Sequence, residues 1–404
     1  MNVESFSIGE LCSSVSERYT ENLPYVRLVN TSDILEGELL PLEKVKNENL
    51  KGQFKKAFKN GDILFSEIRP ANRRFAFIEN ENTKELIAST KLMVIRANKD
   101  KVIPKYLYYF LTSQNILNKL QNLAETRSGT FPQITFSGEI APISIKLPNI
   151  AEQNHIVNFI DAINSKILIN KKINKNLYKL IKLNSTLFFS SLKASEIKTV
   201  FLSEIADFVS GYSYKGDELK CSDIAMATIK NFDRKGGFKI DGYKEIIPSS
   251  KLKSSQFVDD FDSLVAHTDI TQNADVIGNA EIVLSNVGYK KLIFSMDLVK
   301  VIPKGDKISK FVIATLLQRA DFKNHCLSYV NGTTVLHLSK KALPSYELSL
   351  PRDENKLIKL NAKIEPLFKL ISNNFNENLK LKSLKESLLT KLISGEIDIN
   401  NPNK

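Results

Sequence analysis

The chain has 404 residues, enough for two or three domains that each bury a core of their own. Its 57 Lys and Arg residues outnumber 45 Asp and Glu residues, and the net charge of +12 suits a polyanionic partner such as nucleic acid. The sequence contains no apolar run near the ~20 residues of a membrane span, no N-terminal signal segment and no close pair among its three cysteines. We therefore expect a cytoplasmic protein with reduced thiols and no membrane partner.

The first 150 residues alternate short apolar runs with turn residues. The runs DILFSEI, RFAFIE and KLMVIRA are rich in Val, Ile and Phe and predict strands, and PKYLYYFL predicts a helix. The stretch closes on SGTFPQITFSGEIAPISIKLP, which opens with a Gly-Thr and ends with a Leu-Pro. We expect residues 1–150 to form one α+β domain.

A different period begins at Glu152. Apolar residues now recur in steps of four and three, the spacing of a coiled-coil seam, with a slip near Asn170. The pattern predicts a long helix over residues 151–195. Its first seam positions are Ile156, Ile160, Ile163 and Ile167.

The second half of the chain repeats the first. A segment that opens with Gly-Thr and ends with Leu-Pro recurs at an offset of 203 (332 − 129), in NGTTVLHLSKKALPSYELSLP. This offset aligns Val335 and Leu336 with Pro132 and Gln133. Two further runs, AEIVLS and DLVKVIP, predict strands in the same order as before, and FLSEI resembles the earlier SIGEL. Such an ordered repeat predicts a tandem duplication, with a second α+β domain over residues 196–352.

A second long helix is predicted over residues 353–396, before a tail at 397–404. Its seam positions are Ile364, Ile371, Leu388 and Leu392. Gly395 should cap its end, and Pro366 should kink it or mark its true start. Two helices of about 40 residues, each ~60 Å at 1.5 Å per residue, are too long to bury on one small domain. We expect them to pack on each other.

The motifs of common catalytic and cofactor sites are missing from the sequence. It contains no G-x-G, no phosphate-binding G-x4-G-K-[ST] and no H-x-x-H or H-E-x-x-H. Nuclease-like E/D-x-K triplets are so numerous in this lysine-rich chain that chance accounts for them. His325 and Cys326 are adjacent, and adjacent side chains usually diverge. We expect no covalent chemistry, no metal and no cofactor in this chain.

Three stretches carry a resemblance to a known family. They are SGTFPQITFSGEIAPISIKLPNIAEQNHIVNFID, HTDITQNADVIGNAEIV and LKESLLTKLISGEIDI. In this order they resemble specificity subunits of type I restriction–modification systems, over essentially the full chain. The resemblance implies two target-recognition domains, each reading one half of a bipartite DNA site, and an antiparallel coiled coil of the two helices with pseudo-two-fold symmetry.

The resemblance also implies partners. Two modification subunits would dock along the helices and bring S-adenosylmethionine and the methyltransferase chemistry, and two motor-nuclease restriction subunits would join them for cleavage. Two alternatives stay open. The chain could be the recognition subunit of a related bifunctional type II-like restriction–methylation enzyme, or a coiled-coil scaffold whose globular domains bind protein.

Candidate DNA contacts follow from residue types in polar loops. Arginine forks suit phosphate or guanine, and asparagine suits adenine. In the first domain the candidates are Arg69, Asn72, Arg73, Arg74, Lys91, Arg127, Thr130 and Gln133. In the second domain they are Lys230, Asn231, Arg234, Lys235, Thr268, Thr271, Gln272 and Asn273, with His267 ambiguous.

Overall fold

A computed structural model describes residues 4–394, with gaps at 235, 272, 306 and 307, and describes only the backbone of residues 392–394. Contacts divide the chain into two units. Unit 1 contains the residues up to 166 and those from 381 onward, and unit 2 contains residues 167–380. Gln272, Lys235, Gly395, the tail and the Leu392 side chain lie outside the described part, so their predicted roles stay predictions.

Unit 1 is an α+β domain in which short strands surround two apolar clusters. Its strands are β1 (Glu4–Ser7), β2 (Cys12–Val15), β3 (Tyr25–Val29), β4 (Ile34–Leu35), β5 (Glu38–Leu39), β6 (Lys44–Lys46), β7 (Phe54–Lys56), β8 (Ile63–Ser66), β9 (Phe75–Phe77), β10 (Leu86–Ser89), β11 (Leu92–Ala97) and β12 (Ser144–Leu147). Its helices are α1 (Ile8–Leu11), α2 (Pro104–Leu111), α3 (Gln114–Arg127) and the start of α4 (Ile150–Ser190).

The strands of unit 1 form two four-stranded sheets and smaller pairs. One sheet has the order β2-β11-β8-β9 with antiparallel neighbours, and the other has the order β6-β3-β10-β7, in which β3 and β10 run parallel. All four residues of β8 are buried, as expected for an apolar run in the interior of a sheet. β12, which ends the Gly-Thr phrase, pairs with β1 and so ties both ends of the domain together.

Unit 2 has the same kinds of element in the same order. Its strands are β13 (Ile197–Phe201), β14 (Ala206–Ser210), β15 (Ile224–Ala227), β16 (Lys244–Glu245), β17 (Phe257–Val258), β18 (Ser263–Ala266), β19 (Thr268–Asp269), β20 (Ala280–Ile282), β21 (Lys291–Phe294), β22 (Leu298–Pro303), β23 (Val330–Asn331), β24 (Leu336–Leu338) and β25 (Glu347–Pro351). Its helices are α5 (Leu202–Ile205), α6 (Lys310–Leu317), α7 (Ala320–Leu327) and most of α8 (Asn355–Ser394).

Sheet topology confirms the predicted duplication. Unit 2 contains the sheets β14-β22-β18-β20 and β16-β15-β21-β17, the latter again with a parallel central pair, and β13 pairs with β25 as β1 pairs with β12. The weak likeness of SIGEL to FLSEI is also structural. In each, a glutamate at the third helical position accepts the backbone N–H of the capping residue, at 2.7 Å for Ser7 and 2.6 Å for Phe201.

The two long helices run antiparallel where they meet within each unit. In unit 2, Asn174 on α4 accepts from Asn374 on α8 at 2.8 Å, and Asn170 donates to Asn378 at 2.9 Å. The residue numbers rise along one helix as they fall along the other. Asn170, where the apolar step slips, is thus a buried polar contact of the seam. The structure confirms the predicted antiparallel pairing.

Burial of the predicted seam residues is mostly as expected. Ile156, Ile160, Ile163, Ile167, Ile364 and Ile371 are all less than 9% exposed. The stripe also contributes to the domains themselves, because Ile156 and Ile160 belong to the core of unit 1 and Ile364 and Ile371 to the core of unit 2.

Two details of the second helix differ from expectation. Leu388 is only partly buried, and its neighbour Leu389, 3% exposed, takes the core position. Pro366 lies inside α8 and does not start it, because the helix already begins at Asn355. A proline there removes one backbone donor, and packing of Ile364 and Phe368 in the core offsets that loss.

Candidate nucleic-acid interface

The polar loop of unit 1 (residues 67–74) lies between β8 and β9 and has a fixed backbone. Arg69 and Arg73 adopt left-handed conformations, with φ of 45° and 54°, at the two ends of a single helical turn. The Ala71 N–H donates to Oε1 of Gln121 on α3 at 3.0 Å. The loop therefore presents the exposed side chains of Arg69 and Asn72 from a rigid support.

The Gly-Thr segment of unit 1 (residues 128–134) lies directly against this loop. The Arg69 N–H donates to the carbonyl of Pro132 at 3.1 Å, and its guanidinium reaches the carbonyl of Thr130 at 3.4 Å. Gln133 donates to Glu67 at 3.0 Å. The structure thus brings Arg69, Thr130 and Gln133, about 60 residues apart in sequence, to one edge of the unit.

Two exposed residues extend that edge. Lys91 is exposed, and its carbonyl accepts the N–H of Glu67 at 3.3 Å, which places it beside the polar loop. Phe131 is 52% exposed between Thr130 and Pro132. The sequence reading missed Phe131, although an aromatic residue in a polar Gly-Thr turn is a signal that could have found it.

The other three candidate arginines of unit 1 are occupied by protein groups. Arg73 donates to Gln114 at 2.8 Å and pairs with Glu36 at 3.1 Å. Arg74 donates to the carbonyls of Ser32 and Ile34, each at 3.1 Å. Arg127 pairs with Glu139 at 3.1 Å. Their contact with DNA stays a prediction, and what the geometry adds is that each of them holds the loops in place.

In unit 2 the corresponding polar loop (residues 267–279) faces a second loop. The hairpin loop of unit 2 (residues 232–238) carries Arg234, whose Nε lies 3.9 Å from Oδ2 of Asp275. In unit 1 an ion pair also links the corresponding two loops, but its charges are exchanged. There the acid, Glu36, is on the hairpin loop and the base, Arg73, is on the polar loop. Arg234 is largely exposed, as are Lys230, which precedes the hairpin loop in sequence, and Asn273 on the polar loop.

Three candidates of unit 2 have structural partners that account for them. Asn231 is 0% exposed, accepts from the Thr228 N–H at 2.8 Å and donates to the Lys239 carbonyl at 2.7 Å. This corrects the expectation that its amide reads a base, since neither end of the amide faces solvent. Thr268 is likewise buried and donates to Asp297 at 2.9 Å.

Thr271 is the third. Its hydroxyl donates to Asp269 at 2.7 Å, and Asp269 also accepts from the N–H groups of Val276 and Ile277, at 2.6 and 3.0 Å. Burial would raise the pKa of Asp269, but these donors hold it below its ordinary value. Asp269, which sequence reasoning missed, is the residue that shapes the polar loop of unit 2.

The register of unit 2 also corrects the alignment of the two Gly-Thr segments. In unit 1, Gln133 forms an isolated antiparallel β-bridge with Ile68. In unit 2, His337 is the antiparallel strand partner of Thr268. His337, and not Leu336, is therefore the counterpart of Gln133. The offset here is 204 and not 203 (337 − 133), because five positions separate Gly332 from His337 while four separate Gly129 from Gln133.

Two properties of the described residues bear on other kinds of site. No group of three or more His, Cys, Asp or Glu side chains among them could hold a metal ion. None of the helices that they form combines the length and apolarity of a membrane span. Burial raises the pKa of Cys326 to about 12, and His325 beside it contacts the carbonyl of Ala342 at 2.8 Å.

Comparisons with known proteins agree with this architecture. Residues 2–179 match the family model described as the type I restriction modification DNA specificity domain. The chain is 27% identical to the type I restriction enzyme HindI specificity subunit of Haemophilus influenzae, with 98% of this chain and 99% of that one covered. The family model covers 178 of the 404 residues, and the likeness to HindI extends the similarity to type I restriction–modification specificity subunits over nearly the whole chain.

Two further likenesses extend the comparison. A putative type I restriction enzyme specificity subunit, MjaX of Methanocaldococcus jannaschii, is 24% identical over 84% of this chain and 79% of its own. Among solved structures, the type I restriction–modification S subunit from M. genitalium matches with a TM-score of 0.52 at 16% identity, covering 97% of this chain and 96% of that one. This chain therefore shares the fold of that structure.

Proposed function

We propose that each unit of this specificity subunit reads one half of a split DNA target through its polar loop and Gly-Thr segment. The chain is a DNA-recognition subunit without catalysis of its own. The observation that carries the proposal is the repeated sheet topology, which presents the same loop pair twice in one chain. The exposed residues at these loops supply cations and amides, the groups that contact phosphates and base edges.

In this proposal, Arg69, Asn72, Lys91, Thr130 and Gln133 contact the first half-site. Lys230, Arg234 and Asn273 contact the second. The net charge of +12 supplies attraction to any DNA sequence, and specificity comes from the few side chains that reach base edges.

The long helices are proposed as the docking surface for two modification subunits. Apolar side chains that neither core covers support this, namely Leu168, Ile169, Ile173, Leu180, Leu183 and Leu187, each at least 39% exposed on α4. The modification subunits would carry S-adenosylmethionine and transfer the methyl group, and motor-nuclease subunits would add cleavage. The assembly would work in the cytoplasm.

A methylation map tests the proposed function. This chain is expressed with its modification subunit in a host that lacks other methyltransferases, and the host DNA is sequenced by a modification-sensitive method. We expect a new split motif, methylated at adenine in both halves, which disappears when this chain is omitted. A stable complex of the two proteins that methylates nothing new would refute the proposal and favour the protein-binding scaffold.

A further inference from the structure

The two units carry different side chains at one equivalent contact, where the polar loop meets the Gly-Thr segment. We call this contact the joint. In unit 1 the first residue of the polar loop is Glu67, and its carbonyl accepts the N–H of Ile134 at 2.8 Å. In unit 2 the same backbone bond joins the carbonyl of His267 to the N–H of Leu338 at 2.9 Å. The facing side chains are Glu67 and Gln133 in unit 1, and His267 and His337 in unit 2. A hydrogen-bonded acid and amide are thus replaced by two imidazoles.

The charged groups around the joint also differ between the units. In unit 1 a second acid, Glu139, follows the Gly-Thr segment and accepts the Thr135 N–H at 2.5 Å. In unit 2 the same stretch carries Lys340 and Lys341, both exposed. Unit 1 therefore presents acids beside bases, since Arg127 pairs with Glu139 and Lys91 lies next to Glu67. Unit 2 instead presents two imidazoles and two exposed lysines, with Asp297 as the nearby acid. A difference of this kind points to an anion as the ligand of the second joint.

The groups around His267 shift the pKa of its imidazole. Burial lowers the pKa of His267, and the positive charges of His337 and Lys340 lower it further, while Asp297 opposes them. Asp297 is engaged by the Thr268 hydroxyl at 2.9 Å. His337 itself is exposed on β24, between Thr268 and Asn331 of the two neighbouring strands. An arriving anion would reach His337 first, because His337 is exposed whereas His267 is partly buried.

We propose that His337, supported by His267 and Lys340, binds a backbone phosphate of the DNA half-site read by unit 2. Binding then takes up a proton from solvent onto the imidazole, and the ion pair forms without any covalent step. Unit 1 has no such coupling, since Glu67 and Gln133 occupy its joint. The inference rests on the proposed function and adds the chemistry of one contact to it.

The test uses the assembled complex of this chain with its modification subunits. Binding is measured by fluorescence anisotropy at fixed salt and at pH 6, 7 and 8, with a duplex carrying the methylated motif and with a scrambled duplex. His337→Gln installs the residue found at the same joint of unit 1. His155→Gln, at an exposed position of α4, is the matched control.

We expect the unsubstituted complex to bind its target about tenfold more tightly at pH 6 than at pH 8. This is the size expected when binding shifts the pKa of one group by about one unit. His337→Gln should lose most of that dependence and reduce the salt slope at pH 6 by about one. His155→Gln should keep both.

Two results would overturn the inference while leaving the proposed function intact. One is target-specific binding that does not depend on pH, and the other is a pH dependence that His337→Gln and His267→Gln both leave unchanged. Equal melting temperatures of variant and parent show that a changed slope does not come from misfolding. Absence of target-specific binding at every pH would instead overturn the proposed function, and this inference with it.

Discussion

Arg69 and Arg73 lie on one loop, but the protein holds them differently. The Arg73 guanidinium is bound by Gln114 and Glu36, whereas that of Arg69 has only a 3.4 Å contact with the Thr130 carbonyl and is exposed. Arg69→Ala should therefore weaken DNA binding by about 1–3 kcal/mol and leave the melting temperature unchanged. DNA titration in a salt series and a thermal melt measure the two effects.

Arg73→Ala is the matched comparison. It leaves the acceptors of Gln114 and Glu36 without their donor and should cost about 1–2 kcal/mol of stability in unit 1. If Arg69→Ala lowered the melting temperature and Arg73→Ala did not, the roles assigned to these two arginines would be reversed.

Glu281 of unit 2 is a buried carboxyl group whose titration should be visible in stability. Burial raises the pKa of Glu281 to about 7. The Gly237 N–H, which donates to it at 2.6 Å, acts to lower this pKa, and the nearby Asp233 acts to raise it. The unfolded chain has an ordinary glutamate pKa near 4.5, so the folded chain holds the proton over a wider range. The contribution of Glu281 to stability is therefore highest below about pH 4.5 and is lost as pH rises through about 7.

Glu281→Gln should remove that dependence. At pH 8 the variant should be more stable than the parent by roughly 2–3 kcal/mol, and at pH 5 the two should be nearly equal. Thermal unfolding between pH 5 and 8 checks this, with the exposed Glu347→Gln as control. Parallel curves for Glu281→Gln and the parent would contradict a buried, protonated Glu281.

At the scale of elements, both long helices and several strands could be predicted from periodicity alone. Runs such as DILFSEI and KLMVIRA became β8 and β11, and the steps of three and four became α4 and α8. Such signals are local, because a strand or helix imposes its own period on burial. Periodicity predicts Leu388 as the buried seam residue, but Leu389 lies in the core instead. Packing against the neighbouring domain determines which of the two is buried.

The loops could not be predicted to the same degree. Asn231 carries a residue type suited to adenine, yet the Lys239 carbonyl and the Thr228 N–H bind its amide. Arg73 is satisfied by Gln114, 41 positions away. A sequence states which groups can form hydrogen bonds, but the partner of each is chosen by packing of distant segments. The positions of the polar loops could therefore be predicted from the sequence, but which of their side chains are exposed could not.

The paired asparagines of α4 and α8 make an element-scale prediction. Asn174 and Asn374 are both buried, and Asn374 donates to Asn174 at 2.8 Å. Replacing Asn174 alone by Leu leaves a buried amide unpaired and should cost about 1–3 kcal/mol. The double variant Asn174→Leu/Asn374→Leu should recover much of this loss, since apolar seam residues pack well.

A double-mutant cycle in urea measures the coupling between the two positions. Strictly additive losses would show that the asparagines do not depend on each other, and the proposed seam contact would have to be abandoned.

At the scale of the whole molecule, the central feature is that one chain contains the same sheet arrangement twice. The second copy keeps the strand order while its loop chemistry diverges, as Glu36 and Arg73 of unit 1 have their polarity reversed in Asp275 and Arg234 of unit 2. A conserved frame with independent loops permits each unit to acquire its own DNA sequence. The account therefore predicts that the two halves of the target can be altered separately.

The most direct measurement compares the methylated motif after changes confined to one unit. One variant carries Arg69→Ala and Asn72→Ala in unit 1, and the other carries Lys230→Ala and Asn273→Ala in unit 2. Each should relax bases in only one half of the split motif, a different half for each variant, with the other half and the spacing unchanged. Changes in both halves from a variant of one unit, or an unsplit motif, would contradict the claim that each unit reads its own half-site.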